Sequence, residues 1–200
     1  MYKYLKEASS YELIINKSRF ISFLYPFSSP TELNFYLQQL RLSHPKANHY
    51  CYAYLLKNNT VQKYSDDGEP NKTAGFPMLE VLLKNRLDDV LVIVVRYFGG
   101  IKLGANGLTR SYRAVVADAI KNANLVTMIE TNLYSVAVEY HLLDKLANFL
   151  TNNCRITKTD YGNLVEFFFY CLHEQNLDKI NNLIKGAPIK IIGSIKVELD

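Results

Sequence analysis

The run Val90-Leu91-Val92-Ile93-Val94-Val95 is the longest uninterrupted aliphatic segment of the chain. It is far shorter than the roughly 20 residues a membrane helix needs. β-Branched residues dominate it and no polar residue alternates with them, so it reads as a strand buried on both faces. This central strand, Val90–Arg96, leads into a glycine-rich loop at Tyr97–Asn106 that contains Gly99, Gly100 and Gly104. A long helix is expected over Leu108–Asn122, with Leu108, Tyr112, Val115, Val116 and Ala119 on one face.

The elements around the central strand follow from turn chemistry and periodicity. Tyr11–Ile15 and Arg19–Tyr25 read as two strands joined by a tight turn at Asn16–Ser18. In the following SSPTE segment, Ser29 is a candidate N-cap, with Pro30 at the first helical position and Glu32 completing a capping box. Leu33, Tyr36, Leu37 and Leu40 then recur at helical spacing, and the helix should stop before Pro45. Tyr50–Leu56 and Thr60–Tyr64 flank Lys57-Asn58-Asn59, which suggests a hairpin on asparagines that tolerate left-handed backbone. The polar stretch Ser65–Thr73 reads as a loop, and a helix is expected over Gly75–Lys84.

The pattern changes near Thr127–Asn132. Beyond it, strands are expected at Leu133–Tyr140, Arg155–Asp160, Val165–Cys171 and Lys190–Val197, with helices at Leu142–Asn152 and Glu174–Lys185. The order βαββαβ, with a turn at Tyr161-Gly162-Asn163, fits a ferredoxin-like domain. The chain is thus read as α+β, with domains 1–130 and 131–200.

Hydrophobic residues make up 48% of the 200 residues and charged residues 21%, enough for a sizeable core. The net charge of +4 is uneven. Residues 1–130 carry 16 Lys and Arg against 11 Asp and Glu, or +5; residues 131–200 carry 7 against 8, or −1. The basic excess belongs to the first part and hints at anionic partners, short of the character of a dedicated nucleic-acid binder. Cys51, Cys154 and Cys171 are odd in number and lack metal-knuckle spacing, so they are expected to be buried free thiols in a reducing compartment. The N-terminal MYKYLKEASSYEL has no apolar core or cleavage-like site, which points to a cytoplasmic chain without a signal peptide.

Four polar clusters carry the chemistry. The first, Pro45-Lys46-Ala47-Asn48-His49, ends where a strand begins; His49 is either a structural hydrogen-bonding residue or a ligand-facing proton donor or acceptor. In the second, Tyr64-Ser65-Asp66-Asp67-Gly68-Glu69-Pro70, the three acids either bind a divalent cation or cap a helix and pair with arginines. The absence of EF-hand spacing favours the structural role. The third, Asn71–Pro77, sets Lys72 and a hydroxyl beside a helix start whose amides either hold an anion or are merely capped. The fourth, Arg96–Arg113, contains Arg96, Lys102, Arg110 and Arg113 and no acid. Its glycines allow close backbone approach and its helix start adds partial positive charge, which describes a phosphate or carboxylate site. The competing reading is that the glycines solve packing and the arginines pair with Asp66, Asp67 or Glu69. No nucleophile elbow, HExxH or CxxC pattern occurs, and Cys51 and His49 fall on one strand face without a third partner.

Taken together, KSRF (Lys17–Phe20), Pro45–His49, YSDDGEP (Tyr64–Pro70), Thr73–Pro77 and VVRYFGGIKLG (Val94–Gly104) resemble the IMPACT family and its bacterial YigZ-type members. The family usually shows Gly-Thr-Gly-Gly-Leu where this chain has Gly104-Ala105-Asn106-Gly107-Leu108, and Lys72 stands where a glycine is common. The resemblance implies a first domain with the fold of the second domain of ribosomal protein S5, and a second domain similar to a domain of elongation factor G. It also implies a link to translation, with stress-responsive regulation of initiation in eukaryotic members and RNA, the ribosome or a translation-related protein as expected partners.

The reading that follows is a translation-associated binding protein, with no cofactor. Arg96, Lys102, Arg110 and Arg113 would contact phosphates, His49 and Lys72 would lie at the rim, and Gly99 and Gly100 would shape the loop. Tyr64, Tyr97 and Tyr112 are candidates for stacking on bases. Two alternatives stand beside it. One is a hydrolase or transferase on a small anionic substrate, with Asp66, Asp67 and Glu69 holding a divalent metal; the other is a protein-only adaptor.

Overall fold

The computed structural model of the chain describes residues 2–184 and 186–199. It divides into two compact units, Met1–Met128 and Ile129–Asp200. The first opens with β1 (Tyr2–Leu5), β2 (Ser9–Ile15) and β3 (Ser18–Pro26), followed by α1 (Leu33–Ser43). Next come β4 (His49–Leu56), β5 (Val61–Ser65), α2 (Gly75–Lys84), β6 (Val90–Tyr97) and α3 (Gly104–Asn122). The strand β7 (Leu125–Val138) carries the chain from the first unit into the second.

Among the described residues, the main sheet of the first unit has the order β2-β3-β6-β4-β5, antiparallel throughout. β6 is central, and every residue from Val90 to Arg96 is buried. The reason is that both sheet faces are covered. Val90, Val92 and Val94 pack into the core shared with Met78 and Leu82 of α2 and Leu108, Tyr112 and Val115 of α3. Leu91, Ile93 and Val95 point the other way, into a core shared with Leu33 and Leu40 of α1. Each such fully buried aliphatic side chain contributes roughly 1.5–3 kcal/mol.

Both hairpin turns have left-handed backbone, which the sequence led one to expect at Lys57–Asn59. Asn16 and Lys17 have φ of 46° and 63°, closing Ile15 onto Ser18. Lys57, Asn58 and Asn59 have φ of 55°, 56° and 60°. Their amides donate to the carboxylates of Asp88 and Asp89, and this replaces the hydrogen bonds that a regular ladder would supply.

Local expectations fail at several points. β1 was not foreseen; its pairing with the start of β7 joins two chain ends of the unit, and no local periodicity marks that. β7 begins at Leu125 rather than Leu133 for the same reason. The capping box does not form: Ser29 accepts from the Thr31 amide, and Glu32 takes the Ser28 hydroxyl instead. α3 starts four residues early, at Gly104, whose φ of +67° lets the chain enter the helix directly from the loop.

The second unit continues from β7 through α4 (Leu143–Asn153), β8 (Arg155–Tyr161), β9 (Val165–Tyr170), α5 (Gln175–Ile184) and β10 (Lys190–Glu198). Lys185, the expected last residue of α5, lies outside the described residues. The strand order β10-β7-β9-β8 with both helices packed on the sheet is the ferredoxin-like arrangement, so the chain is α+β in both parts. Val165, Phe167 and Phe169 of β9 point to Leu146 and Leu150 of α4 and Ile180 of α5. Cys154, at the end of α4, and Cys171, just past β9, form a disulfide with Cα atoms 4.5 Å apart. That corrects the expectation of three free thiols; the Cys pair spans two elements, and linear spacing does not report their approach. Cys51 is free and buried.

Candidate anion-binding cleft and basic groove

The site begins with register. His49 of β4 is paired with Arg96 of β6, at the ends of the two strands where α3 starts. Strand alternation puts Arg96 on the Val92 and Val94 side, facing the α2 and α3 layer. Tyr97 therefore lies on the opposite face, where its hydroxyl meets His44 Nδ1 at 3.0 Å and Arg19 sits over its ring. Tyr97 is thus removed from the arginine beside it.

Arg96 is 5% exposed. Its Nη1 donates to Glu69 Oε1 at 2.5 Å, and Nη2 to Ser18 Oγ at 3.5 Å. The same Glu69 oxygen accepts from the Tyr112 hydroxyl at 2.8 Å and lies 3.9 Å from His49 Nε2. The Asp67 carbonyl, which can only accept, takes the hydrogen on His49 Nδ1 at 2.8 Å, which leaves Nε2 facing Glu69. A buried chain thus runs Cys51–Tyr112–Glu69–Arg96, since the Cys51 thiol also reaches the Tyr112 hydroxyl. Burial pushes both the Cys51 thiol and the Tyr112 phenol well up from their ordinary values, so neither is a nucleophile near neutral pH. Tyr112 is fully buried and offers no face to a base, which corrects its candidacy for stacking.

The three acids of the YSDDGEP loop diverge. Asp66 Oδ1 accepts from the Ala74 and Gly75 amides and Oδ2 from Lys72. Of the two readings of the α2 start, anion holding or capping, the contacts are those of a cap: its amides are occupied by a carboxylate of the chain itself. Asp67 accepts from the Tyr50 amide and lies 3.6 Å from Arg41. Glu69 belongs to Arg96 and Tyr112. Among the described residues no group of three His, Cys, Asp or Glu side chains converges as metal ligands would, so these carboxylates act as caps and ion-pair partners. Lys72 sits apart, with its ammonium over the Phe76 ring.

The glycine-rich loop is held by packing. A Cβ on Gly99 would fall 2.0 Å from the Lys17 carbonyl carbon, so only glycine lets the loop press on the β2–β3 turn. The Gly99 amide donates to Ser18 Oγ and the Phe98 amide to Asn48 Oδ1. These amides are engaged internally and are not free for a ligand. Gly100 turns the chain at φ +82°.

The basic residues thus separate into two places. His49, Arg96, Lys102 and the first turn of α3 line a cleft of about 390 Å³, together with Glu69 and Phe98. Arg110 and Arg113 instead line an open groove of about 710 Å³ between α2 and α3, with Glu80 and Lys84. Arg113 pairs there with Glu80. Glu80 and Lys84 were missed in the sequence; their spacing of four on α2 was visible, but not that α2 lies beside α3. The four basic residues read from the sequence as one set of phosphate contacts are thus divided, Arg96 and Lys102 lining the cleft and Arg110 and Arg113 the groove.

Residues 16–120 match the family model of the Impact N-terminal domain, more than half of the chain. The chain belongs to the IMPACT family. It is 41% identical over 168 residues to IMPACT family member YvyE of Bacillus subtilis (strain 168), covering 83% of this chain and 77% of that protein. It is 36% identical over 154 residues to IMPACT family member YigZ of Escherichia coli (strain K12), covering 74% of each. A crystal structure described as that of an hypothetical protein superposes with a TM-score of 0.63 at 27% identity, covering 96% of both chains. In this family member the matched segment holds the cleft and the groove entire. Among the described residues no helix is long and apolar enough to cross a membrane.

Proposed function

We propose that this IMPACT-family chain is a translation-associated regulatory protein that binds RNA backbone through the groove between α2 and α3. Family membership supports the link to translation, through the resemblance drawn from its motifs. The observation that carries the RNA contact is the charge of the groove: Lys84, Arg110 and Arg113 against Glu80 alone. The Arg113–Glu80 pair is about half exposed, hence weak, and a phosphate competes with it readily. Arg110 and Arg113 lie three apart on α3 and present one face of the helix. No aromatic side chain lines the groove, so the contact is electrostatic and indifferent to base sequence.

Fluorescence anisotropy with a labelled single-stranded RNA at several salt concentrations tests this. Each lost phosphate contact lowers the salt slope by about 0.7 for single strands, so Arg110→Ala with Arg113→Ala should lower it by about 1.4. Binding that ignores salt, or is unchanged in the double variant, overturns the reading.

A further inference from the structure

The cleft beside Arg96 is separate from the groove and has the makings of a small-molecule site. We propose that it binds a phosphate monoester, with the phosphate held between the first-turn amides of α3, Lys102 and Arg96, and the apolar part set against Phe98 and Leu103. Three observations converge. Among the described residues no side-chain hydrogen bond caps the N-terminus of α3, a helix of 19 residues, whose first residues Gly104 and Ala105 line the cleft, and its first-turn amides have no intrahelical acceptors. Arg96 lines the same cleft while 95% buried, and its Nε has no hydrogen-bond partner although Nη1 and Nη2 are engaged. That Nε has almost no accessible surface, so the guanidinium acts on a ligand in the cleft through its charge, which burial leaves poorly screened. The cleft volume, about 390 Å³, is within the range of ligand pockets and suits a compact organic molecule rather than a polymer groove.

Charge selects the class of ligand. Arg96 and Lys102 contribute two positive charges and Glu69 one negative, before the partial positive charge of the helix start is added. Glu69 Oε1 is turned toward Arg96 and Tyr112, so its repulsion of an incoming anion is blunted by both donors. Positive charge comes to the cleft from the start of α3, the Lys102 ammonium and the guanidinium, with His49 Nε2 at the margin. Three oxygens and nearly two negative charges answer that arrangement better than the two oxygens of a carboxylate. The inference uses none of the groove residues, so it stands or falls apart from RNA binding at α2 and α3.

The test is calorimetry and amide NMR on the full chain with phenyl phosphate, beside inorganic phosphate and benzoate. Phenyl phosphate should bind saturably and more tightly than either comparator, and shift the amides of residues 104–107. Lys102→Glu, at an exposed position, should weaken binding at least about tenfold, while the same charge change at Lys57→Glu, on the far hairpin turn, should leave it intact. Arg96→Met would remove a buried ion-pair member, so its result counts only if its melting curve stays cooperative. Competition by a 5′-phosphorylated but not a 5′-hydroxyl oligonucleotide would identify the monoester as a nucleic-acid end, and no competition by either would identify a free metabolite. Absence of saturable binding, or equal loss in the Lys102 and Lys57 variants, overturns the proposal.

Discussion

Arg96 tolerates burial because several groups answer it: Glu69 and Ser18 as acceptors, and the rings of Phe20 and Phe98, which lie 5.3 and 5.8 Å from its guanidinium carbon. A buried pair of this kind adds little net stability over an apolar pair, but breaking it leaves an uncompensated charge. Glu69→Ala is therefore expected to cost about 3–5 kcal/mol in urea unfolding. Glu69→Leu with Arg96→Met should cost less than that single change. A double variant no more stable than Glu69→Ala would show that the pair is not the source of the loss. The neighbouring thiol and phenol give a pH signature. Burial raises the Cys51 thiol above its ordinary value of 9.0, and Tyr112 likewise above 10.0. The folded chain then keeps protons that the unfolded chain releases, so stability is full below about pH 9 and falls as pH rises beyond it. Urea titrations between about pH 7.5 and 10.5 should show this fall, with a shallower slope in Cys51→Ala; identical slopes would count against the assignment.

At the scale of elements, α2 and α3 make an informative contrast. Both start without a cap from their own N-cap side chain. α2 recruits Asp66 from the loop eight residues before Ala74, and this carboxylate collects three amides. Asp66→Ala should therefore cost about 2 kcal/mol, the upper end of the capping range, and Asp66→Asn distinctly less. Thermal denaturation of both variants checks this, and equal losses would mean that the carboxylate's charge is irrelevant. The acids of YSDDGEP were legible as caps or ligands but not as which, because the choice depends on the amides they meet. The two hairpin turns were legible, since Asn and Lys at positive φ leave a compositional mark at Asn16 and Asn58. The start of α3 at Gly104 was not, because glycine reads locally as loop, whereas here Leu103 and Leu108 on either side of it pack on the core of the unit.

At the scale of the whole molecule, two cores of different construction share one chain. The first unit sandwiches its sheet between α1 and the α2–α3 pair, whereas the helices of the second pack on its sheet through one apolar face. The Cys154–Cys171 disulfide closes a 17-residue span in that second core, and chain entropy assigns it about 3 kcal/mol. Cys154→Ala with Cys171→Ala should lower hydrogen-exchange protection of the β7 and β9 amides by a corresponding amount while sparing β6; unchanged protection in β9 would remove the disulfide from the account. The sequence alone determined what short-range pattern can carry: Val90–Val95 as a doubly buried strand, the turn asparagines, the apolar faces of the helices, and the motifs that mark an IMPACT-family chain. Tertiary structure alone decided the partners of the charges. Glu69 and Arg96 are 27 residues apart and Glu69 and Tyr112 are 43 apart, and the periods of strand and helix say nothing over such distances. Whether an arginine awaits a ligand or answers a carboxylate depends on which loops meet, and that is set only when the sheet register and the helix layers are both in place.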